Sequence, residues 1–418
     1  MHGIWALLVL AATPALPTPS PLTEDQAVEL ALKQSPQVRF RGHFVEEARA
    51  RTDADLRWNN PQLRIEDLRY GQLLEPAIDR RTYGDHPLVH TEVAIRWKPP
   101  ELGERGSLRA EGRVREADKQ MDLDETRRET VAFVRRLHAQ ILAYDAQIAL
   151  GKDTVEQTAK LSALVKAKRE QHAATLLDQS LADVEHLDAA NHLAEAEVRR
   201  RAAYHQLLAQ LGLPAGTEIT LAPSAKDPCA PPAETTAMIE RARATNPRLS
   251  LYRAELAYAD AARRKSWFDL VPWFDFVQVS YGFAGDNTPG YVAFNLALRL
   301  PLLDWKRADR RAFAARRDGF LERIKADERS LSDLVIQTAA EQAEQAALVK
   351  RYQESVALME DSVKKFQSSM EQGHATDLFE VVKLQSRLRS TQRFHLRARL
   401  ECKLQQIELE RLTSAGRD

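Results

Sequence analysis

The residues able to bind a metal, move a proton or attack a carbonyl are scattered through this chain. It has 11 histidines and two cysteines. His186 and His192 are six apart, so on a helix they face different sides and make a poor metal pair. His86 and His90 flank Pro87 and could catch a metal, but solvated loop side chains are the better reading. His172 and His374 lie in two similar motifs, yet their spacing is one residue off the spacing of those motifs, so they are not equivalent. Cys229 and Cys402 have no zinc spacing. They read as two thiols, with a disulfide as the alternative in an oxidising compartment. No Gly-rich phosphate loop, nucleophile elbow or paired-cysteine motif occurs. The expectation is a protein that is not an enzyme, with no cofactor and no metal site, and the elements themselves become the object of interest.

The 418 residues carry 60 Lys and Arg against 60 Asp and Glu, a formal charge of zero. That balance leaves no electrostatic footprint for nucleic acid, and the charged helices read as solvated faces. A mean hydropathy of −0.44 excludes a polytopic helical membrane protein. The one strongly apolar run, Ile4 to Ala12, precedes a Pro/Thr/Ser stretch and fits the core of an export signal over residues 1–20. Thr13 and Ala15 supply small residues for cleavage, and no cysteine follows for lipid attachment.

One plan occurs twice. Ser35-Pro36 matches Asn246-Pro247, and Asn60-Pro61 matches Val271-Pro272, both at an offset of 211. Pro100 matches Pro301, and Gln171 to Leu177 matches Gln372 to Leu378, both at an offset of 201. The ten-residue difference falls between alternating segments, where a loop tip belongs. The first copy spans about 21–213 and the second 233–418, with a Pro-rich linker over 214–232.

Each copy holds a long stretch rich in Ala, Leu, Glu, Arg and Lys, about 106–170 and 306–371, which predicts a long helix. Sixty-odd residues would reach roughly 95 Å. Tyr352, Val356, Met359, Val363 and Phe366 step 4, 3, 4, 3, the signature of packing against other long helices. A turn and a shorter helix follow each time. Four segments alternate instead, at about 61–70, 89–98, 273–283 and 291–300. Val93, Ile95 and Trp97 share one face, and so do Val292, Phe294, Leu296 and Leu298. Asp275 interrupts one face of the third segment. The turns fall at Gln72 to Pro87 and Gly285 to Gly290. Alternation suits half-buried soluble strands as well as tilted membrane strands. A lipid-facing sheet tolerates no open edge, and closed membrane barrels start at about eight strands. Four strands from one chain therefore require pooling: two chains give eight and three give twelve. Trp267, Phe268, Trp273, Phe274 and Tyr281 would then form an interfacial girdle, or else core packing.

This layout resembles the TolC family of bacterial outer-membrane efflux and secretion channels. The resemblance rests on the opening Leu22-Thr23-Glu24-Asp25-Gln26-Ala27-Val28-Glu29-Leu30-Ala31-Leu32-Lys33-Gln34-Ser35-Pro36-Gln37-Val38 and on the doubled helix–hairpin–long helix–turn–helix order. It implies a mainly α fold with four β-strands, assembled as a homotrimer. A periplasmic α-helical barrel would stand below a 12-stranded outer-membrane β-barrel. It implies a passive exit duct of a tripartite efflux system, served by a periplasmic adaptor and an inner-membrane transporter, with type I protein secretion as the runner-up. A soluble periplasmic scaffold is the reading from a different class. The resemblance makes Gln171, His172, Thr175, Gln372, Gly373 and Thr376 adaptor-contact tips. Gly373 matches the family's turn glycine, where the first copy has His172, a residue that tolerates a positive φ less well. Glu380 and Lys383 become candidate gate residues by one alignment, and Phe379 and Val382 by another; neither reproduces a doubled acidic ring. Val93, Ile95, Trp97, Val292, Phe294, Leu296 and Leu298 would face lipid.

Overall fold

A computed structural model describes residues 21–69, 90–223, 229, 234–284, 290–301, 305–371 and 378–414. Residues 1–20, read above as an export signal, the first hairpin turn with His86, and Gln372, Gly373, His374 and Thr376 lie outside them. Among the described residues the chain is mainly helical, with eight helices and four strands. They run α1 (Glu24–Gln34), α2 (Pro36–Asp55), β1 (Gln62–Arg69), β2 (His90–Trp97), α3 (Glu104–Glu170), α4 (Leu176–Gln210), α5 (Thr235–Thr245), α6 (Pro247–Phe268), β3 (Trp273–Ala284), β4 (Tyr291–Arg299), α7 (Arg307–Glu371) and α8 (Leu378–Thr413). Two compact units result, and α3 and α7 each contribute residues to both.

Helix starts follow from local chemistry. Thr23 caps α1 in a reciprocal box with Gln26. The paired Ser35-Pro36 and Asn246-Pro247 dipeptides are the same device twice. A side-chain oxygen accepts from the first-turn amides, Ser35 from Val38 and Asn246 from Arg248 and Leu249. The proline, which has no amide hydrogen to lose, opens the helix.

The first unit takes in residues up to Arg39, Thr126–Ala242 and Asp333 onward. Its core joins Ala27, Val28 and Ala31 of α1, Val134, Leu137 and Ile141 of α3, and Ala203, Leu207 and Leu211 of the α4 end. Along α4 the buried side chains Ala182, Ala189, Ala196 and Ala203 recur every seven residues. A seven-residue repeat of small side chains is the seam of a coiled-coil contact between closely spaced helices. Beside this core lies a charge node. Arg135 of α3 meets Glu410 at 2.6 Å, Glu24 at 3.5 Å and Asp25 at 3.6 Å. Lys403 of α8 reaches Glu24 at 3.3 Å. One basic residue thus ties the start of α1 to the end of α8, with both charges paired as burial demands.

The second unit takes in Phe40–Glu125 and Arg243–Ser332. Here the two copies use the same positions. Arg49 pairs with Glu116 at 2.6 Å, and Asp260 with Arg317 at 3.2 Å. The numbers differ by the same 211 and 201, and the signs are exchanged. Arg41 meets Asp122 at 3.2 Å, and at the equivalent positions Arg323 donates to the Tyr252 hydroxyl at 3.4 Å. Gly112 allows α2 and α3 to touch, because a Cβ there would lie 2.2 Å from Thr52 Cγ2. The strands form one antiparallel sheet in the order β1-β2-β3-β4. The β2–β3 pairing joins the two copies.

His138 of α3 is buried beside the charge node, with a hydrogen bond to the Leu22 backbone. Burial holds its imidazole below the ordinary 6.5; Glu24 and the Leu22 bond oppose this, and Lys403 adds to it. Below pH 6.5 the unfolded chain therefore takes up a proton that the folded chain refuses. Stability present above that pH is lost as the pH falls through it. Urea unfolding in detergent from pH 8 to pH 5 should show a falling midpoint, and His138→Gln should flatten the fall. Equal slopes for both proteins would show that the ring titrates alike in both states.

Candidate functional site

The sheet has two chemically different faces. Register places Leu63, Ile95, Val279 and Phe294 in one row, and Ile65, Val93, Tyr281 and Val292 in the next. Trp97, Val277 and Leu296 form a third row, and Phe274 with Leu298 a fourth. This face is open: Phe294 is 78% exposed and Leu63 70%, and Ile65, Ile95, Val292, Leu296 and Leu298 are also exposed. Val93 and Trp97 are half-buried. All seven side chains expected to face lipid lie on this one face. The opposite face carries Gln62, Arg96, Gln278 and Asn295 in one row and Arg64, Ala94, Ser280 and Ala293 in another. Ala94, Gln278 and Ser280 are buried there. Arg96 donates to Gln278 Oε1 at 2.6 Å and lies over the Phe276 ring at 4.0 Å. On the two middle strands normal solvation is inverted: Ile95, Val277 and Val279 are exposed, whereas Ala94, Gln278 and Ser280 are buried.

Asp275 does not spoil the apolar face. The register shifts between Phe274 and Phe276, so Asp275 is the extra residue of a bulge, and Phe274 and Val277 stay on the same side. Its carboxylate pairs with Arg299 at 3.2 Å. Arg299 also pairs with Glu101, which Lys265 reaches at 3.0 Å. Burial pushes the Glu101 carboxyl up, but Lys265 and Arg299 together outweigh it and hold the group below its ordinary value. A cavity of about 660 Å³ opens beside this node, lined in part by Phe268, Trp273 and Phe274.

Antiparallel pairing brings the starts of β1 and β3 and the ends of β2 and β4 to one end of the sheet. Trp97 and Trp273 are strand-end residues there, while Trp58 precedes β1, Trp267 lies in the last turn of α6 before β3, and Trp305 follows β4. Trp58, Trp267 and Trp305 are exposed. Each has an arginine over its ring: Arg105 at 5.1 Å, Arg310 at 4.3 Å and Arg307 at 5.7 Å. Tyr281 and Tyr291 mark the other end, also exposed. Trp273 to Tyr281 is about 26 Å along the strand, or about 20 Å of height when tilted. Tryptophans near one end of the strands, apolar rows between, and Tyr281 and Tyr291 toward the other end thus follow one another along the sheet. Of the girdle residues read from the sequence, Trp267, Phe268, Phe274 and Tyr281 are exposed, and Trp273 is tied to Pro100 O at 3.0 Å. Trp58 and Trp305 were not among the girdle residues read from the sequence.

The described helical tip joins α3 to α4. His172 takes φ 59, the left-handed position. Its amide donates to Arg169 O at 2.9 Å, and the Ala173 amide to Lys168 O at 2.8 Å, the paired bonds of a Schellman stop. Histidine therefore fills the role expected of glycine. Gln171 lies in the same turn. The Thr175 hydroxyl is engaged locally, accepting from the Asp178 amide at 3.1 Å and donating to its carboxylate at 2.7 Å. That capping box starts α4 and holds the Asp178 carboxyl below its ordinary value. The tip exposes apolar Leu176, Leu177, Leu181 and Val184 beside polar Gln171, His172 and Thr175. Glu380 lies in the first turn of α8, and its side chain is outside the described set. Lys383 is exposed and lines a cavity of about 230 Å³ with Val165, Asp178, Glu185 and Val382.

Among the described residues no cluster of His, Cys, Asp and Glu could hold a metal ion. No described helix is long and apolar enough to cross a membrane. A left-handed histidine costs about 1–2 kcal/mol relative to an unstrained residue, partly offset by the greater entropy of an unfolded glycine. His172→Gly should therefore raise unfolding stability by up to about 1 kcal/mol, read from the urea midpoint. A drop would mean that the imidazole makes a contact worth more than the strain.

No protein-family model matches the sequence, and no curated protein matches it. Solved structures do match. The outer-membrane channel OprN superposes with a TM-score of 0.72 at 16% identity, over 94% of this chain and 90% of that one. VceC, an outer membrane protein of Vibrio cholerae, gives 0.71 at 12% identity, over 94% and 96%. The open state of the MtrE outer membrane channel of Neisseria gonorrhoeae gives 0.72 at 12% identity, over 94% and 89%. At such identities the likeness concerns the fold, and over nearly its whole length the chain has the fold of TolC-family outer-membrane channels, the outer-membrane factors.

Proposed function

We propose that this chain is the outer-membrane exit duct of a tripartite efflux system. Three copies pool four strands each into a closed 12-stranded barrel, and their long helices form a tunnel in the periplasm. The duct is passive. An inner-membrane transporter drives export, and a periplasmic adaptor connects it to the tips around Gln171, His172 and Thr175 and around Gln372, Gly373 and Thr376. Glu380 and Lys383 narrow the periplasmic mouth. Small molecules or metal ions are the proposed cargo, with type I protein secretion as the second reading.

The observation that carries this reading is the inverted sheet. A row of exposed apolar side chains, Leu63, Ile95, Val279 and Phe294, crosses all four strands, with further apolar rows beside it, while β1 and β4 stand at the two ends of the sheet order. In water such a face is a liability and such edges invite aggregation. In lipid the face is required, and the edges must be closed by further strands. A soluble scaffold has no use for Phe294, Leu296 and Leu298 held outward together. The solved neighbours supply the precedent, one being described as an outer-membrane channel and another by its transmembrane channel formation. The exposed leucines beside the first tip suit an apolar contact with an adaptor.

Cell fractionation with unheated gels tests the assembly. The wild-type chain should appear in the outer membrane as a heat-labile trimer. Phe294→Lys places a charge on the lipid face, costing about 2–4 kcal/mol per copy near mid-membrane, and should abolish the trimer. Asn295→Lys, its neighbour on the opposite face, should assemble. Equal behaviour of the two variants, or a wholly soluble wild type, would reject the barrel. Planar bilayers test the mouth: Glu380→Ala should raise single-channel conductance and weaken cation preference. An unchanged channel would remove Glu380 from the gate.

A further inference from the structure

The two cysteines come from distant parts of the sequence and meet in one place. Cys402 of α8 is fully buried in a small cluster with Val349 of α7 and Ala398 of α8. Cys229, from the Pro-rich linker between the two copies, packs against that same cluster together with Ala346, Leu348 and Tyr352. Both belong to the first unit. The surroundings are apolar, and among the described residues no third ligand accompanies the thiols to make a metal site. Two thiols converging on an apolar cluster, one of them partly accessible, have one natural joint chemistry.

We propose that Cys229 and Cys402 are a disulfide site that staples the linker to the last helix. The oxidant is a disulfide-bearing donor, as in a thiol–disulfide exchange chain. The Cys229 thiolate attacks the donor disulfide; that bond breaks, a mixed disulfide forms and one donor thiolate leaves. The Cys402 thiolate then attacks Cys229 Sγ and expels the second donor thiolate. Two cysteine thiols lose two protons and two electrons, and the donor is reduced to two thiols. Cys229 is the entry point because it is partly exposed whereas Cys402 is not. The bond would close a ring holding most of the second copy, where a cross-link restrains the unfolded chain most. Persistence of the bond in cells rests on the export reading, since the periplasm is oxidising; its formation does not.

The test uses the purified full-length chain in detergent, with oxidised glutathione as the donor, followed by denaturation, maleimide alkylation and intact-mass measurement. The expected product is a monomeric chain about 2 Da lighter than the reduced form, with neither cysteine alkylated and both recovered after dithiothreitol. Alkylation of both cysteines, a lasting glutathione adduct on either, or a cross-link between two chains would overturn the proposal. Cys229→Ser serves as the control: its lone Cys402 should take up maleimide after the same treatment, and a lasting block there would equally overturn the pairing. The readout involves neither membrane targeting nor conductance, so failure of the disulfide and failure of the channel reading are separately visible.

Discussion

The register of the four-stranded sheet is the constraint on which the rest depends. A strand turns successive side chains to opposite faces, so a slip of one residue would move Phe294 and Leu296 to the face that carries Gln278 and Ser280. The observed pairing aligns Leu63, Ile65, Ile95, Val279, Val292, Phe294, Leu296 and Leu298 into rows on one face, with Arg96, Gln278, Ser280 and Asn295 opposite. Two features keep the rows straight. The bulge at Asp275 absorbs a residue that would otherwise put Trp273 and Phe274 out of phase with the rest of β3. The Glu101 node ties the exit of β2 to the end of α6 and to β4 through Lys265 and Arg299. That carboxylate bears two cations at a partly buried site, a geometry in which losing one partner costs more than the pair contributes.

The helices are organised by a second device, repetition with exchange. Equivalent positions in the two copies carry Arg49–Glu116 and Asp260–Arg317, the same contact with the charges reversed. A contact between α2 and α3 therefore has its counterpart between α6 and α7, although the side chains differ. Coulomb attraction does not depend on which helix supplies the cation, which lets the sequences diverge while the packing persists. The node around Arg135 and Lys403 has no such counterpart. It ties the chain start to the chain end, a task that a repeat performs only once.

Much of the architecture was legible because its signals are local. The Ser-Pro and Asn-Pro dipeptides, the proline-free Ala/Glu/Arg stretches and the period-two segments each act within a few residues. Side chains at alternate positions share a face whatever the strand pairs with, so Val292, Phe294, Leu296 and Leu298 could be grouped before any fold was known. The first tip was read less well. Histidine at position 172 argued against a left-handed turn, yet the chain stops α3 there with His172 at φ 59, because the two amide bonds that close the stop outweigh the local strain. Thr175, which the resemblance makes a contact residue, is exposed and also starts α4 through its capping box, a local role its sequence position did not single out. The exposed Leu176 and Leu177 follow it directly.

By itself the sequence determined element type, element order, the doubled plan and the face on which each strand residue lies, because these follow from periods of 2 and 3.6 and from residues that start and stop helices. Only the tertiary structure decided that β2 lies beside β3, that Trp58 stacks on Trp97, that Arg135 meets Glu410, and that Cys229 reaches the cluster of Cys402. Each of these joins segments far apart in the chain. No local period encodes such a meeting, which is set by how helices and strands pack once their own faces are formed.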